Sequence, residues 1–138
     1  MSELLEKARS YEAKKIAATD KESKPLFHIS APAGWINDPN GFSVYNGKIH
    51  LFYQYYPYLR EWGPMHWGHS TTSDMIKWEQ LPCVLAPDEE YDKKGCFSGS
   101  AIEADGKHVL VYTGVTRIKL PDGSEQERQN QCIAFGDG

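Results

Sequence analysis

The stretch of this sequence best suited to chemistry is WINDPNG at residues 35–41. It places a carboxylate, Asp38, directly before Pro39, and a proline biases the preceding residue away from the helical region. Asn40 and Gly41 are typical turn residues. The pattern predicts that Asp38 lies on extended backbone just before a turn, which suits a nucleophile presented at a fixed angle. The alternative is an Asx-type turn entering a strand, in which Asp38 only bonds nearby backbone.

Two other sets of reactive side chains do not combine into a site. His66 and His69 are three residues apart in a predicted strand, so they point to opposite faces and are poor paired metal ligands. The three cysteines, Cys83, Cys96 and Cys132, are widely spaced and include no Cys-x-x-Cys pair. These spacings argue against a zinc site or a disulfide scaffold and favour reduced, mostly buried thiols. We therefore expect structural histidines, no metal and no cofactor.

Length and charge narrow the classes of function. The chain has 138 residues, enough for a domain with a core, and a formal net charge of −4. Its basic residues form no patch, which argues against a nucleic-acid partner. Residues 1–15 are charged and lack the apolar region of a signal peptide, and no apolar stretch is long enough to span a membrane. We expect a cytoplasmic protein that contacts neither nucleic acid nor membrane.

Residues 1–24 are predicted to form an N-terminal helix and a linker. Helical spacing of apolar residues extends from residue 3 to about residue 17, with Ser2 as the N-cap. Glu12 and Lys15 interrupt the apolar face, so a solvated arm and a docked helix both fit the pattern. The polar residues 19–24 predict the linker. The apolar positions are Leu4, Leu5, Ala8, Tyr11 and Ile16.

Residues 25–138 show the pattern of β-strands. Asn46-Gly47 between two β-rich runs is a strong hairpin signal, and Ser73-Asp74 predicts a second turn. Four runs are predicted to form one antiparallel meander: 42–45, 48–53, 65–72 and 76–81.

A second unit follows a connector at residues 82–94, whose acidic residues, Asp92 included, we interpret as a solvated surface. Residues 118–130 are predicted to be a polar loop, and a turn is expected after residue 135. Three strands are predicted in this unit: 96–103, 108–113 and 131–135. A repeated four-stranded unit of roughly 45 to 60 residues is typical of a β-propeller, which closes with at least about four blades. The chain is therefore predicted to be all-β and part of a larger propeller.

Four motifs resemble, in order and spacing, those of glycoside hydrolase family 32: the β-fructofuranosidases, invertases and sucrose-6-phosphate hydrolases. They are WINDPNG at 35–41, LFYQYYP at 51–57, EWGPMHWGHS at 61–70 and CFSGSA at 96–101. The similarity extends from about residue 27 to residue 138, and the N-terminal helix resembles that of the bacterial sucrose-6-phosphate hydrolases.

The resemblance implies a five-bladed propeller with a central active site, of which this chain holds about the first two blades. It implies that Asp38 is the nucleophile that forms a covalent fructosyl intermediate from a sucrose-like fructoside. Sugar pockets combine polar groups with aromatic walls. The implied polar residues are Asn37, Gln54 and Ser98, and the implied aromatic residues are Trp35, Trp62 and Phe97. Gln54 could instead only satisfy buried backbone, and Trp62 and Phe97 could be core residues, as we favour for Trp67.

Two motifs of the family are not found in these 138 residues. The family carries its acid/base glutamate in a Glu-Cys motif and a stabilising aspartate in an Arg-Asp-Pro motif. The residues before the three cysteines are Pro82, Gly95 and Gln131, and no arginine is followed by aspartate. Retaining glycosidases need two carboxylates, so this chain alone is expected to be inactive.

Two functions therefore stay open. The chain is either the N-terminal part of a β-fructofuranosidase, truncated or one piece of a split enzyme, or a non-catalytic module that self-assembles or binds sugar. The third strand of the second unit would be an exposed edge, and such edges pair with other chains. We expect a homo-oligomer or a complementing chain.

Overall fold

The computed structural model describes residues 2–20, 22 and 24–136. In this part of the chain a single helix precedes seven strands: α1 (Glu3–Ala18), β1 (Trp35–Tyr45), β2 (Lys48–Tyr56), β3 (His66–Thr72), β4 (Glu79–Leu85), β5 (Gly95–Ala104), β6 (Lys107–Lys119) and β7 (Glu125–Gly136). Residue 1, residues 21 and 23 of the predicted linker, and residues 137 and 138 of the last predicted turn lie outside the described residues. No helix in the described ranges is long and apolar enough to cross a membrane.

Helix α1 begins and ends close to the predicted positions. Ser2 is the N-cap, and its Oγ accepts the backbone N–H of Leu5 at 3.2 Å. The helix is docked, because Ala8 is fully buried in a cluster with residues of the first sheet. The buried members of that cluster from the sheet are Tyr53, Tyr55 and Cys83.

Glu12, the charged residue that interrupts the apolar face, fixes α1 to the edge of the sheet. Its carboxylate accepts the backbone N–H of Cys83 at 3.1 Å and the side-chain amide of Gln80 at 3.4 Å. Burial raises the pKa of Glu12, while the hydrogen bond from Cys83 acts in the opposite direction. The helix thereby satisfies one backbone donor of the edge strand β4.

The first sheet has the predicted meander order β1-β2-β3-β4. Asn46 and Gly47 join β1 to β2, and both have left-handed backbone (φ 49° and 72°). Positive φ at both central residues is the type I′ geometry whose twist matches that of the flanking strands. The Asn-Gly prediction is therefore confirmed.

Strand β4 lies later in the chain than predicted. Asp74 Oδ1 accepts the backbone N–H groups of Ile76 and Lys77 at 2.9 and 2.8 Å, which keeps these residues in a turn. The strand is Glu79–Leu85, so Pro82 lies inside it and not in a connector. Proline is tolerated there because β4 is an edge strand.

The second sheet is the three-stranded meander β5-β6-β7. The predicted polar loop at residues 118–130 is wrong: β6 continues to Lys119 and β7 starts at Glu125, so the connection is residues 120–124 only. The register is continuous through Arg117 opposite Glu127. Their side chains are exposed, and the polarity that suggested a loop belongs to a solvated extension of the hairpin.

The two sheets pack face to face, and their interface is the main core. Trp67 is fully buried there, as predicted, and its indole N–H donates to the carbonyl of Phe97 at 3.2 Å. The three cysteines are buried and free, which confirms the prediction of unpaired thiols. The buried residues of this core are Phe52, Trp67, Cys96, Leu110, Tyr112 and Cys132.

Asp92 corrects the prediction of a solvated acidic connector. It has no exposed surface, and its carboxylate accepts the Tyr112 hydroxyl and the Glu89 N–H, each at 2.8 Å. Burial raises the pKa of Asp92. This carboxylate ties the connector between the sheets to β6.

Candidate active site

Asp38 lies at an irregularity in the first strand. Ile36 pairs with Tyr55 and Pro39 pairs with Tyr53, so Asn37 and Asp38 together stand opposite a single residue of β2. This two-against-one arrangement is a β-bulge, which re-aims side chains and is frequent beside active sites. Asp38 is therefore on extended backbone, as predicted. The bulge interrupts the regular alternation of side chains between the two faces of the sheet.

The turn predicted at Asn40-Gly41 is instead a second bulge inside β1. Asn40 pairs with Phe52 and Ser43 with His50, so the strand continues past the glycine. Gly41 has left-handed backbone (φ 51°), and a Cβ there would lie 2.7 Å from the Phe52 ring. The glycine allows the strand to bend closely over the core without reversing.

Ser98 brings the second sheet to Asp38. Its Oγ–H donates to Oδ2 of Asp38 at 3.1 Å, across a separation of 60 residues. Ser98 is also at a bulge, because Phe97 pairs with Thr113 and Gly99 with Tyr112. The first strand of each sheet therefore presents a polar side chain from a bulge, and the two side chains meet.

Trp35 and Asn37 are in contact with each other on β1, the strand that carries Asp38. The indole N–H of Trp35 donates to Oδ1 of Asn37 at 2.8 Å. Both residues are exposed. This bond fixes the orientation of the Asn37 amide and leaves its NH₂ group facing away from the indole donor.

Two aromatic residues of the predicted pocket are in contact. The rings of Trp62 and Phe97 meet edge to face, with centroids 6.1 Å apart and planes at 85°. Trp62 is 57% exposed, so it is not a core residue, and Phe97 is half-buried. An exposed aromatic ring held by a second ring is suited to packing against the apolar face of a sugar.

Gln54 is buried and joins the two sheets. Its Nε2–H donates to the backbone carbonyl of Cys96 at 2.9 Å. Gln54 therefore makes the contact with buried backbone that the alternative interpretation expects. Cys96 directly precedes Phe97, so this bond also holds the start of β5 near the other candidate residues.

Asn40 is a polar residue of this region that the sequence did not single out. It is 3% exposed, and its side-chain Nδ2 and Oδ1 have no hydrogen-bond partner among the described residues. A buried amide without partners is uncommon in proteins. The sequence did not indicate this buried amide, because Asn40-Gly41 was interpreted as a turn and a turn asparagine is normally solvated.

His66 and His69 have separate surroundings, in agreement with the structural interpretation. His66 contacts the carbonyl of Pro64 through Nδ1 at 2.8 Å, whereas His69 stacks on Phe52 with centroids 4.3 Å apart. Burial lowers the pKa of His66 to about 4 and that of His69 to about 3. Within residues 2–20, 22 and 24–136, no group of three or more His, Cys, Asp or Glu side chains is arranged to hold a metal ion.

Residues 28–138 match the family described as "Glycosyl hydrolases family 32 N-terminal domain". The chain belongs to glycoside hydrolase family 32. Among family members, the sucrose-6-phosphate hydrolase of Escherichia coli is 49% identical over 110 residues, which are 80% of this chain and 23% of the relative. The levanase of Bacillus subtilis (strain 168) is 48% identical over 134 residues, or 96% of this chain and 19% of the levanase.

Solved structures of family 32 enzymes share the fold. A mutant of the Bombyx mori GH32 β-fructofuranosidase in complex with sucrose superposes with a TM-score of 0.81 at 44% identity, covering 96% of this chain and 27% of that one. The sucrose-6-phosphate hydrolase from Lactobacillus gasseri gives a TM-score of 0.68 at 33% identity, covering 98% and 28%. This chain thus spans about a fifth to a quarter of the curated relatives. Its fold is the N-terminal part of the five-bladed family 32 propeller, as predicted.

Proposed function

We propose that this chain is the N-terminal part of a retaining β-fructofuranosidase that hydrolyses sucrose or sucrose 6-phosphate, with Asp38 as the nucleophile. The observation that carries the proposal is the hydrogen bond from Ser98 to Asp38, which joins two sheets at a carboxylate on a bulge. We assign residues 25–138 to the first one to two blades and residues 1–24 to the N-terminal helix and linker.

In the proposed reaction, one carboxylate oxygen of Asp38 bonds to the anomeric carbon of the fructosyl group while the glycosidic C–O bond breaks. The leaving oxygen takes a proton from a general acid. Water then attacks the fructosyl ester, gives its proton to the same group and frees Asp38. The hydrogen bond from Ser98 fixes the carboxylate in the direction of attack.

The side chains around Asp38 are proposed to bind the fructosyl group. The Asn37 amide, held by Trp35, and the Ser98 hydroxyl would meet sugar hydroxyls, and the rings of Trp62 and Phe97 would form an apolar wall. Gln54 would take part through the hydrogen-bonding capacity that its bond to Cys96 leaves free. Sucrose itself is bound by the Bombyx mori structural relative.

The general acid is proposed to come from a segment outside these 138 residues. The sequence holds neither the Glu-Cys nor the Arg-Asp-Pro motif of the family. Loss of a general acid lowers the rate by roughly 10²- to 10⁴-fold. A complementing chain with the remaining blades would supply both carboxylates and close the pocket.

The test compares the purified chain alone with the chain mixed with the part of the Escherichia coli relative that this chain does not match. We expect no sucrose or sucrose 6-phosphate hydrolysis by the chain alone and measurable hydrolysis by the mixture. Asp38→Asn should abolish that activity. The matched control, Asp105→Asn in an exposed hairpin turn with left-handed backbone (φ 51°), should leave it unchanged. A mixture that forms a complex by light scattering and yet hydrolyses neither sugar would overturn the proposal, as would activity that survives Asp38→Asn.

A non-catalytic module is the second candidate, and β7 favours it. This 12-residue strand pairs with β6 alone among the described strands, and an unpaired strand edge is suited to pairing with a further strand. In this alternative, copies of the chain or a complementing chain pair at β7, with or without sugar binding.

The cytoplasm is the proposed compartment. Three buried cysteines remain as free thiols, which is the state kept in reducing compartments. The proposed partners are a fructoside and a second polypeptide chain.

A further inference from the structure

A second concave site is lined by other residues than those proposed to bind the fructoside. A pocket of about 410 Å³ is enclosed by the C-terminal half of α1, residues 31–34 and residues 57–60 of the loop after β2. We call it the α1 pocket. Asp38, Ser98 and the other proposed fructoside-binding residues do not line it.

The α1 pocket is lined by three cationic side chains. Lys15 from the helix, Lys24 from the linker and Arg60 from the loop all line it. The described lining residues include no aspartate or glutamate. This concentration of positive charge stands against a chain whose formal net charge is −4. Three cations from three separate segments converge on one concavity, where they raise the local concentration of anions.

The wall between the helix and the loop is firmly held. The Tyr11 hydroxyl donates to the Tyr58 carbonyl at 3.2 Å, and the two rings meet edge to face at 5.2 Å. At Gly34 the backbone is left-handed (φ 61°), and a Cβ would lie 2.1 Å from the Tyr56 carbonyl oxygen. Close backbone packing and the tyrosine pair join the two walls without a ligand, and a preformed pocket lowers the entropic cost of binding.

The carboxyl end of α1 opposes an anion, because helix C-termini carry about half a negative charge. Two of the final carbonyl groups are already occupied. Thr19 donates its hydroxyl to Lys15 O at 2.8 Å and its backbone N–H to Ile16 O at 3.2 Å. Lys24 also acts on the buried Glu12 carboxylate, whose pKa it lowers, so Lys15 and Arg60 carry most of the positive charge that outweighs the remaining partial charge.

We propose that the α1 pocket binds a phosphate-bearing small molecule of sugar size. Arginine presents a planar fork that matches phosphate oxygens, and lysines add point charges. The volume lies within the range of small-molecule sites, roughly 300–1,000 Å³. The Tyr11 and Tyr58 rings supply the apolar surface that a sugar phosphate would cover beside its charged group. This site goes beyond the proposed hydrolysis at Asp38.

The experiment is isothermal titration of the 138-residue chain with inorganic phosphate, sucrose 6-phosphate and sucrose. We expect saturable binding of both phosphate compounds and weakening of that binding by added salt. Lys15→Gln/Arg60→Gln removes charges from opposite walls and should weaken the binding at least tenfold. Lys14→Gln/Lys119→Gln removes the same charge from exposed positions outside the pocket, and should change it less than twofold.

Comparing the titrations with sucrose 6-phosphate and with inorganic phosphate distinguishes a sugar phosphate from free phosphate. Tighter binding of sucrose 6-phosphate than of inorganic phosphate, lost in Lys15→Gln/Arg60→Gln, supports a sugar phosphate in the α1 pocket, and equal binding of the two would overturn a ligand of sugar size. Inorganic phosphate carries no fructosyl group for the residues around Asp38, so its binding tests the α1 pocket independently of the test of hydrolysis. Absence of saturable phosphate binding, or equal weakening by the control pair, would overturn the proposal.

Discussion

Gln54 is a polar side chain that links the two sheets. It is 3% exposed and donates to the Cys96 carbonyl at 2.9 Å. Gln54→Leu removes the donor and leaves a buried carbonyl without it, so we expect the free energy of unfolding to fall by about 1–3 kcal/mol. Urea unfolding measures the change. Gln126→Leu on the exposed face of β7 is the control, with an expected change within about 0.5 kcal/mol. Equal effects of the two substitutions would contradict a structural role for the amide.

Asp38 and Ser98 owe their meeting to local irregularities of the backbone. Each stands at a bulge in the first strand of its sheet, where two residues oppose one. Bulges increase twist and change the direction in which a side chain points. The geometry of the candidate nucleophile is thus set by the hydrogen-bond register of β1 with β2 and of β5 with β6.

Strands β2, β3 and β6 each contribute a histidine to a buried cluster between the sheets. His50 Nε2 donates to the Tyr45 carbonyl at 3.1 Å, so its Nδ1 accepts from His69 Nε2 at 2.9 Å. His108 contacts Ser43 Oγ at 2.8 Å and meets the His50 ring edge-on at 4.8 Å. A proton added to His50 would set two N–H donors against each other.

This cluster predicts a loss of stability in mild acid. Burial lowers the pKa of His69 to about 3 and of His108 to about 4, and burial also lowers that of His50, with Lys48 adding to the effect. The unfolded chain takes up protons near the ordinary histidine pKa of about 6.5, but the folded chain does not. Stability is therefore complete above that pH and falls as the pH drops toward 4. His69 alone should cost roughly 2 kcal/mol at pH 5.

The measurement is the free energy of unfolding in urea at pH 7.5 and pH 5. Glu12 and Asp92 act in the opposite sense because burial raises their pKa values, so the comparison is made between variants. His69→Gln should reduce the loss between the two pH values, whatever its effect at pH 7.5. His28→Gln, at an exposed histidine outside the cluster, should leave the loss unchanged. Equal losses in the wild type and His69→Gln would exclude this mechanism.

Across the whole molecule, features decided by neighbouring residues could be predicted from the sequence. The type of the turn at Asn46-Gly47 is determined by these two residues, and the helix α1 is indicated by the spacing of apolar residues within the helix itself. The docking of α1 could not be deduced, because it depends on Glu12 meeting the N–H of Cys83, 71 residues away. The sequence predicts too short a hairpin for β6 and β7, because its exposed extension is as polar as a loop.

The geometry of the candidate site could not be predicted from the sequence. The motifs include Asp38 and Ser98. Their contact, however, depends on two bulges that no local sequence pattern predicts. Asp92 was predicted as solvated from its acidic neighbours, whereas its burial depends on the Tyr112 hydroxyl twenty residues later. Register and long-range hydrogen bonds therefore account for the errors.

The outer face of the second sheet is apolar and uncovered. Ile102 and Phe135 are 60% and 68% exposed, and both align with Val109 in register. Ile133, 58% exposed, lies two residues before Phe135 on the same face. With the open edge of β7, this face is suited to another sheet. Copies with about two blades each cannot add up to five, so a ring of copies would differ from the family propeller, whereas a complementing chain could restore it.

We expect the purified chain to be an oligomer, with a light-scattering mass at least twice its 15.6 kDa. Ile133→Lys/Phe135→Lys places two charges on the uncovered face and should shift the mass toward that of the monomer, because buried unpaired charges are costly at an interface. Met75→Lys/Ile76→Lys changes two exposed apolar residues (55% and 60%) at the turn before β4 and should leave the mass unchanged. A sharp monomer peak with cooperative unfolding of the wild type would show that β7 and its face need no partner.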